Sequence, residues 1–193
     1  MELPPTAIRI TRERKRVMRK TICEQKPIEG DAPAPVWKQP RGSYGSNFWQ
    51  MYSWKLDRDV HFYSSLERDH GVIVEADPTV ASFCEQPLRI NIKVDGRDRE
   101  TVMDMLIQFT DGRTEYREIK YESDVQEADD HSRVARQLAA QREWAFVTAN
   151  DYKVVTDKEI RRNPTFLRNW KQILAYLATY ASYDLAEIEH QLL

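Results

Sequence analysis

The sequence predicts an α/β fold in which a β-sheet is flanked by helices. Alternating apolar residues indicate strands between positions 88 and 119, and apolar residues at helical spacing indicate helices near 64–74, 124–143 and 164–180. The chain has 193 residues, of which 41% are hydrophobic and 31% are charged. This composition is typical of a soluble globular protein and suffices for one substantial domain with extensions.

The composition excludes several functional classes. No apolar run approaches the roughly 20 residues that a membrane span needs, and the N-terminus lacks the apolar core of a signal peptide. Cys23 and Cys84 give no disulfide framework, and the four histidines have no zinc-ligand spacing. We therefore expect a reduced, cytoplasmic setting and no membrane partner. Because the net charge is -2, any nucleic-acid binding must come from local basic patches.

Charge and proline content predict three parts along the chain. Residues 1–40 form a basic arm and linker, with Arg and Lys concentrated at 8–20 and prolines scattered over 27–46. The arm suits contacts with phosphate groups, and a solvated tail or a partner-docking segment is an equal alternative. Residues 41–162 form the main domain, and residues 163–193 form a C-terminal helical extension.

The main domain is predicted to open with a strand or an irregular hairpin over residues 47–63. This segment is rich in aromatic residues and partly alternates, which favours strand over helix. Its Lys55 and Arg58 are candidate DNA contacts, and charges that protect a surface edge are the alternative.

The first helix is predicted to begin at Ser64 or Ser65, because serine is a good N-cap. Glu67 falls in its first turn, where the helix dipole stabilises a carboxylate even without another role. Asp77-Pro78 then resembles a cap followed by a proline, which predicts a short helical turn. Gln86-Pro87 ends that turn.

Residues 88–94 are predicted to form a strand, with Asp95-Gly96 as the turn that follows. Together with the two apolar-rich runs of residues 100–120, this predicts three consecutive antiparallel strands. The remaining predicted elements are a helix over 124–143, short strands over 145–148 and 152–155, a capping box at 156–159, and a long helix after Asn163-Pro164.

Three charged residues of the 100–120 stretch indicate a catalytic site. Asp104 lies within an apolar run, where an unpaired acid is costly. Glu118 and Lys120 are two positions apart on a strand and therefore share one face. Carboxylates bind a hard cation that activates water and offsets phosphate charge, while the lysine lies near the water or the phosphate oxygens. The pattern suits metal-dependent phosphodiester cleavage, and a surface hairpin with ordinary charges is the alternative.

The length of the hairpin loop decides whether Asp104 joins that face. A two-residue loop, Asp111-Gly112, would turn the Asp104 side chain away from Glu118. A three-residue loop, Thr110–Gly112, would place Asp104 directly across from Glu118 and supply a glycine for the left-handed position of a bulge. The cleavage hypothesis therefore requires the three-residue loop or a bulge elsewhere.

Several short motifs, spread in order over residues 42 to 175, together resemble a known family. They are Gly45-Ser46, Ser53–Lys55, Tyr63–Asp69, Asp77–Val80, Glu85–Leu88, Asp104, Glu118–Lys120 and Val155–Arg161 with the Arg-Asn-Pro that follows. Their order and spacing resemble TnsA, the endonuclease subunit of heteromeric transposases. The resemblance implies a restriction-endonuclease-like, PD-(D/E)xK core with a central mixed β-sheet flanked by helices.

The resemblance also implies a catalytic set made of Glu67, Asp104, Glu118 and Lys120. The three acids match the family's metal ligands, with Mg²⁺ as the expected ion and Mn²⁺ as a substitute. The chain departs from the family at Met103-Asp104-Met105, where Pro-Asp-Phe is usual and the proline helps to bend the strand.

The implied activity is cleavage of the 5′, non-transferred strand at transposon ends in double-stranded DNA. The implied partners are a DDE-type transposase subunit (TnsB-like) and an AAA+ ATPase regulator (TnsC-like). The alternatives are a stand-alone restriction or repair nuclease of the same fold, and a binding subunit that does not cut. The presence of all four site residues favours the enzyme over the binding subunit.

Overall fold

The computed structural model describes residues 34–36, 47–94, 97–128 and 132–180. The basic arm, most of the linker and the predicted turn at 95–96 lie outside the described residues. The described elements are β1 (Trp49–Ser53), β2 (Arg58–Phe62), α1 (Ser65–Ala76), β3 (Val80–Glu85), β4 (Arg89–Val94), β5 (Arg97–Val102), β6 (Met105–Phe109), β7 (Thr114–Lys120), α2 (Glu122–Gln126), α3 (Arg133–Thr148), β8 (Asp151–Thr156), α4 (Asp157–Ile160) and α5 (Pro164–Tyr180).

The core is a four-stranded mixed sheet with the order β3-β6-β7-β8. The first two pairs are antiparallel, and β8 is parallel to β7. Helices cover both faces: Ile107 packs with Val74 of α1 on one face, and Tyr116 packs with Trp144 of α3 on the other. The predicted α/β architecture, with a central mixed sheet between helices, is confirmed at this level.

The hairpin of β6 and β7 has the three-residue loop that the cleavage hypothesis requires. Met105 lies opposite Arg117 and Gln108 lies opposite Thr114, and the Phe109 N–H donates to the Arg113 carbonyl at 2.8 Å. Gly112 has φ 87, a left-handed conformation that glycine adopts without strain. The same register, extended by one residue, places Asp104 opposite Glu118.

The three consecutive antiparallel strands predicted over residues 88–120 are instead four strands in two sheets. Strand β4 pairs with β5 in a separate two-stranded sheet, while β6 belongs to the central sheet. Met103 and Asp104 interrupt the extended segment between β5 and β6, and we call this interruption the break. There the Met103 N–H donates to the Leu88 carbonyl, and the Gln86 N–H donates to the Asp104 carbonyl, both at 3.0 Å. These bonds hold the break in the absence of a proline.

Three further predictions are corrected by the structure. The turn that Asp77-Pro78 opens covers only residues 78–79, and the residues expected to continue it up to Gln86 form strand β3 at the edge of the central sheet. The expected helix over 124–143 is two helices, α2 and α3, and α3 continues through the expected strand at 145–148. Thr156 precedes α4 without a capping hydrogen bond from its side chain.

Other elements are confirmed. Residues 47–63 form the hairpin of β1 and β2, and Ser64 caps α1 by accepting a bond from the Glu67 N–H at 3.0 Å. Strand β8 contains the predicted 152–155 run. Helix α5 begins at Pro164, and the Asn163 side chain accepts a bond from the Phe166 N–H at 3.0 Å.

Helix α5 is attached to α1 by an apolar contact and a charged one. Leu167 and Leu174 pack against Val72 of α1. The buried carboxylate of Asp69, also on α1, accepts from Lys171 of α5 at 2.5 Å. The boundary between the main domain and a helical extension stays a prediction. No helix among the described residues has both the length and the apolar character to cross a membrane.

Candidate active site

Four predicted site residues meet at one end of the central sheet. Asp104 directly precedes β6, Glu118 and Lys120 end the neighbouring β7, and Glu67 lies in the first turn of α1. Their charges act on one another: Asp104 raises the pKa of both Glu67 and Glu118, and Lys120 lowers both. The structure therefore brings together the acids and the lysine that the sequence singled out.

Glu67 is held by the local structure of the helix start. Its side chain accepts from the Tyr63 N–H at 3.1 Å, and its own N–H bonds the Ser64 cap. The Gln86 side-chain amide donates to the same carboxylate at 3.4 Å. Burial, with repulsion from Asp104, raises the pKa of Glu67 to about 7. The helix start thus positions a carboxyl group whose ionised form is disfavoured by burial and by the nearby Asp104.

Asp104 is fixed by the backbone of the strand that carries the other two groups. Its Oδ2 accepts from the Ile119 N–H at 2.7 Å, between Glu118 and Lys120. Burial raises the pKa of Asp104, and Lys120 opposes that shift. The bond explains how an acid is tolerated in an apolar run, because its oxygen is satisfied by a backbone donor.

Glu118 is fully buried and accepts from three side chains. Lys120 Nζ donates to Oε1 at 2.5 Å and Gln137 Nε2 donates to the same oxygen at 2.6 Å, while Gln141 Nε2 donates to Oε2 at 2.7 Å. Burial and the charge of Asp104 raise the pKa of Glu118 to about 8. Desolvation alone would lower the pKa of Lys120, but Glu118 and Asp104 raise it, so its ammonium form is favoured.

Sequence reasoning missed the amide side chains of the site. Gln137 and Gln141 lie four residues apart on α3 and so face the same way, toward Glu118. Gln141 Oε1 also accepts from the Tyr152 hydroxyl at 2.8 Å. The sequence offered only the four-residue spacing as a signal. The full burial of Gln141, which shows that its amide needs partners, is seen only in the structure.

Gln86 is a further site residue that the sequence did not indicate. It has φ 40, an unfavourable conformation for a residue with a side chain. Its Nε2 contacts Glu67, its backbone N–H bonds the Asp104 carbonyl, and its Oε1 is buried without a partner among the described residues. Backbone strain of this kind is frequent at functional sites.

The residue types of the site suit a divalent cation, although the side chains are not arranged in a preformed coordination geometry. Among the described residues, no three His, Cys, Asp or Glu side chains are grouped closely enough to hold an ion. Three carboxyl groups nevertheless share one ammonium group, and burial disfavours their ionised forms. Hard oxygen donors and excess negative charge are what Mg²⁺ binding requires.

Lys55 and Arg58 have structural partners that the sequence did not reveal. Lys55 Nζ donates to the carbonyls of Asp77 and Val80 at 3.0 and 2.9 Å. Arg58 binds the buried Glu85 carboxylate through two nitrogens, at 2.7 and 2.8 Å. Their contact with DNA stays a prediction. In this structure both cations hold the β1–β2 hairpin against β3 and the end of α1.

One protein family matches the chain. The family described as "TnsA-like endonuclease N terminal" matches residues 77–157. That segment contains Asp104, Glu118 and Lys120, together with the glutamines of α3, and it ends before α5. Glu67 lies ahead of it. No curated protein matches the chain.

Proposed function

Because residues 77–157 match the family described as "TnsA-like endonuclease N terminal", we propose that this chain is the DNA-cutting subunit of a heteromeric transposase. It cuts the 5′, non-transferred strand at transposon ends and requires Mg²⁺, for which Mn²⁺ can substitute. The observation that carries the proposal is the meeting of Glu67, Asp104, Glu118 and Lys120 at one end of the sheet. The fold we assign is the PD-(D/E)xK type.

The roles follow from the chemistry of each group. Glu67, Asp104 and Glu118 supply the oxygen ligands for the ion, which when bound activates a water molecule and offsets phosphate charge. Lys120 donates toward the phosphate oxygens or the attacking water, and its raised pKa keeps it cationic for that task. Gln137 and Gln141 orient Glu118 through its two oxygens.

The proposed assembly places this subunit beside two others in the cytoplasm. A DDE-type, TnsB-like transposase cuts and joins the 3′ ends, and an AAA+, TnsC-like ATPase regulates the reaction. Double-stranded transposon ends are the shared substrate. The TnsA-like segment supports this context, because endonucleases of this family work with a separate transposase.

Strand-specific nicking tests the proposal. A transposon-end duplex with separately labelled strands would be incubated with the protein, the transposase partner and either Mg²⁺ or Mn²⁺. We expect a nick on the 5′ strand that disappears with Asp104→Asn, while Asp124→Asn on the exposed face of α2 keeps it. Cutting of any duplex without a partner would favour a stand-alone nuclease. No cutting with either metal, in the presence of an active partner, would favour a non-cutting subunit.

A further inference from the structure

A cleft of about 290 Å³ opens between strand β5 and helix α3. Glu100 and Thr101 line it from the strand, and Arg133, Arg136 and Gln137 line it from the helix. The remaining lining is aliphatic, so no aromatic ring is present there to stack on a base. The cleft therefore suits a polar, anionic ligand better than a nucleobase.

The charge in the cleft is positive, although the whole chain is slightly acidic. Glu100 accepts from Arg89 at 2.5 Å, so its charge is already offset. Neither Arg133 nor Arg136 has an ion pair or side-chain hydrogen bond with another residue in the part of the chain that the structure describes. Two guanidinium groups are thus available to an incoming anion.

The inner wall of the cleft is also a wall of the candidate active site. Gln137 lines the cleft and donates to Glu118 at 2.6 Å. Thr101 lines it as well and accepts from Gln141 at 3.2 Å, while Gln141 donates to Glu118. An anion bound by the arginines would lie next to the catalytic carboxylates.

We propose that this cleft binds the sugar-phosphate backbone of the DNA strand next to the phosphate that is cut, through Arg133 and Arg136. The guanidinium group matches phosphate geometry with two parallel donors. The cleft has room for one phosphate and its sugar but not for a duplex. Only the backbone of one DNA strand therefore enters it. This assignment rests on the proposed function, because it names the part of the substrate that reaches the site.

The salt dependence of DNA binding tests the proposal. Binding of the full chain to a fluorescent duplex of arbitrary sequence would be measured by anisotropy, without divalent metal, over a range of low salt concentrations. For Arg133→Gln/Arg136→Gln we expect weaker binding. The slope of log K against log salt should fall in magnitude by about 1, since the one phosphate that the cleft admits contributes about 0.9.

The matched control removes two arginines from other surfaces. Arg142 lies on the opposite face of α3 and Arg168 lies on α5, and both are exposed. Arg142→Gln/Arg168→Gln should keep the parent slope, and Arg136→Lys should keep most of it because the charge remains. Circular dichroism would confirm that each variant is folded. An unchanged slope for the cleft variant, or an equal loss in the control, would overturn the assignment.

Cutting assays separate this proposal from the function on which it rests. If the parent nicks transposon ends and the cleft variant keeps the parent slope, only the cleft assignment fails. If the slope falls but the parent never cuts, the arginines do bind a DNA phosphate, and it is the nuclease proposal that fails. Stronger binding of an RNA duplex than of the DNA duplex, with the same loss in the cleft variant, would overturn the choice of DNA.

Discussion

Glu118 has no exposure to solvent, and every donor on its carboxylate comes from a side chain. Its partners are one cation and two amides, so no single replacement removes all of them. This arrangement gives the residue a fixed orientation before any ion binds. The contacts that matter most for function and for stability can therefore be tested one at a time.

Lys120→Ala should abolish most cutting without unfolding the protein. Strand β7 is held by its neighbours and by Ile119, which packs in the core, and Glu118 keeps both glutamine donors. We expect a loss of about a hundredfold or more in the rate of 5′-strand nicking, as is usual when one group that stabilises transition-state charge is removed. Single-turnover nicking measures the rate, and calorimetry should still detect binding of Mn²⁺.

The matched control for Lys120→Ala is Lys153→Ala. Lys153 lies on the adjacent β8, is half-exposed and pairs with Glu159 on the surface. It should cut like the parent. If Lys120→Ala also cuts at the parental rate, Lys120 has no part in the chemistry.

Gln141→Leu should destabilise the fold. Gln141 is fully buried and contacts Glu118, Thr101 and the Tyr152 hydroxyl. Leucine fills a similar volume but leaves the buried Glu118 and the half-buried Thr101 and Tyr152 without that partner, so the free energy of unfolding should fall by about 2 kcal/mol or more. Gln126→Leu, which removes only an exposed bond to Glu122, should change it by less than about 0.5 kcal/mol. Urea denaturation compares the two, and equal effects would contradict this account.

Three of the candidate site residues, Asp104, Glu118 and Lys120, could be singled out from sequence, whereas their partners could not. Glu118 and Lys120 follow from strand alternation, and Asp104 is conspicuous because it interrupts an apolar run. Gln137 and Gln141 are polar residues in an amphipathic helix, where glutamine is ordinary. Only the packing of α3 on the sheet gives them a role.

At the scale of the elements, α1 lies close to the β1–β2 hairpin at Gly71. A Cβ atom built there would lie 2.3 Å from Cζ of the buried Phe62 ring. Gly71→Ala should therefore lower the free energy of unfolding by about 1–2 kcal/mol, because overpacking outweighs the gain in helix propensity of about 1 kcal/mol.

A double-mutant cycle tests this contact, with thermal or urea denaturation as the measurement. Phe62→Leu removes the ring atoms that the new methyl would meet. In the Phe62→Leu background, Gly71→Ala should be nearly neutral or stabilising. A loss of stability of the same size in both backgrounds would show that the ring is not the obstacle.

Strand β3 was not predicted from sequence, and its burial explains why. Phe83 packs toward α1 and Cys84 packs toward α3, so consecutive residues are buried on opposite faces. A strand buried on both faces has no alternation of apolar and polar residues. The reverse error occurred at residues 145–148, where aromatic and β-branched residues favour a strand locally, but burial of Trp144 and Ala145 extends the helix.

For the whole molecule, we predict weak and salt-sensitive DNA binding by the isolated protein, without preference for a transposon end. The net charge is -2, and the clearest basic stretch, residues 8–20, precedes the described domain. A few phosphate contacts supply affinity but no sequence choice. The transposase subunit should supply recognition and raise the effective concentration of the nuclease at the end.

Binding assays at physiological salt, with end-containing and scrambled duplexes, test this prediction. The two duplexes should bind alike and weakly, and the end sequence should be preferred only when the transposase is added. Tight and specific binding by the isolated chain would contradict the heteromeric assignment.

The overall architecture was predictable as a class but not as a topology. Periodicity identified the strands of the β6–β7 hairpin, but it left open the choice between a two-residue and a three-residue loop, which the structure settles. It could not show that β4 and β5 leave the central sheet, or that β8 joins β7 in parallel. Pairing between distant segments depends on which faces are buried together, and local sequence does not record it.

The break at Met103 limits which residues this position can accept. The Met103 N–H donates to the Leu88 carbonyl, and its side chain is fully buried. Proline has no N–H and cannot fill that space, so Met103→Pro alone would lose the bond and the packing together. In this chain, a bend made by proline therefore cannot replace the hydrogen-bonded bend without a compensating change near Leu88.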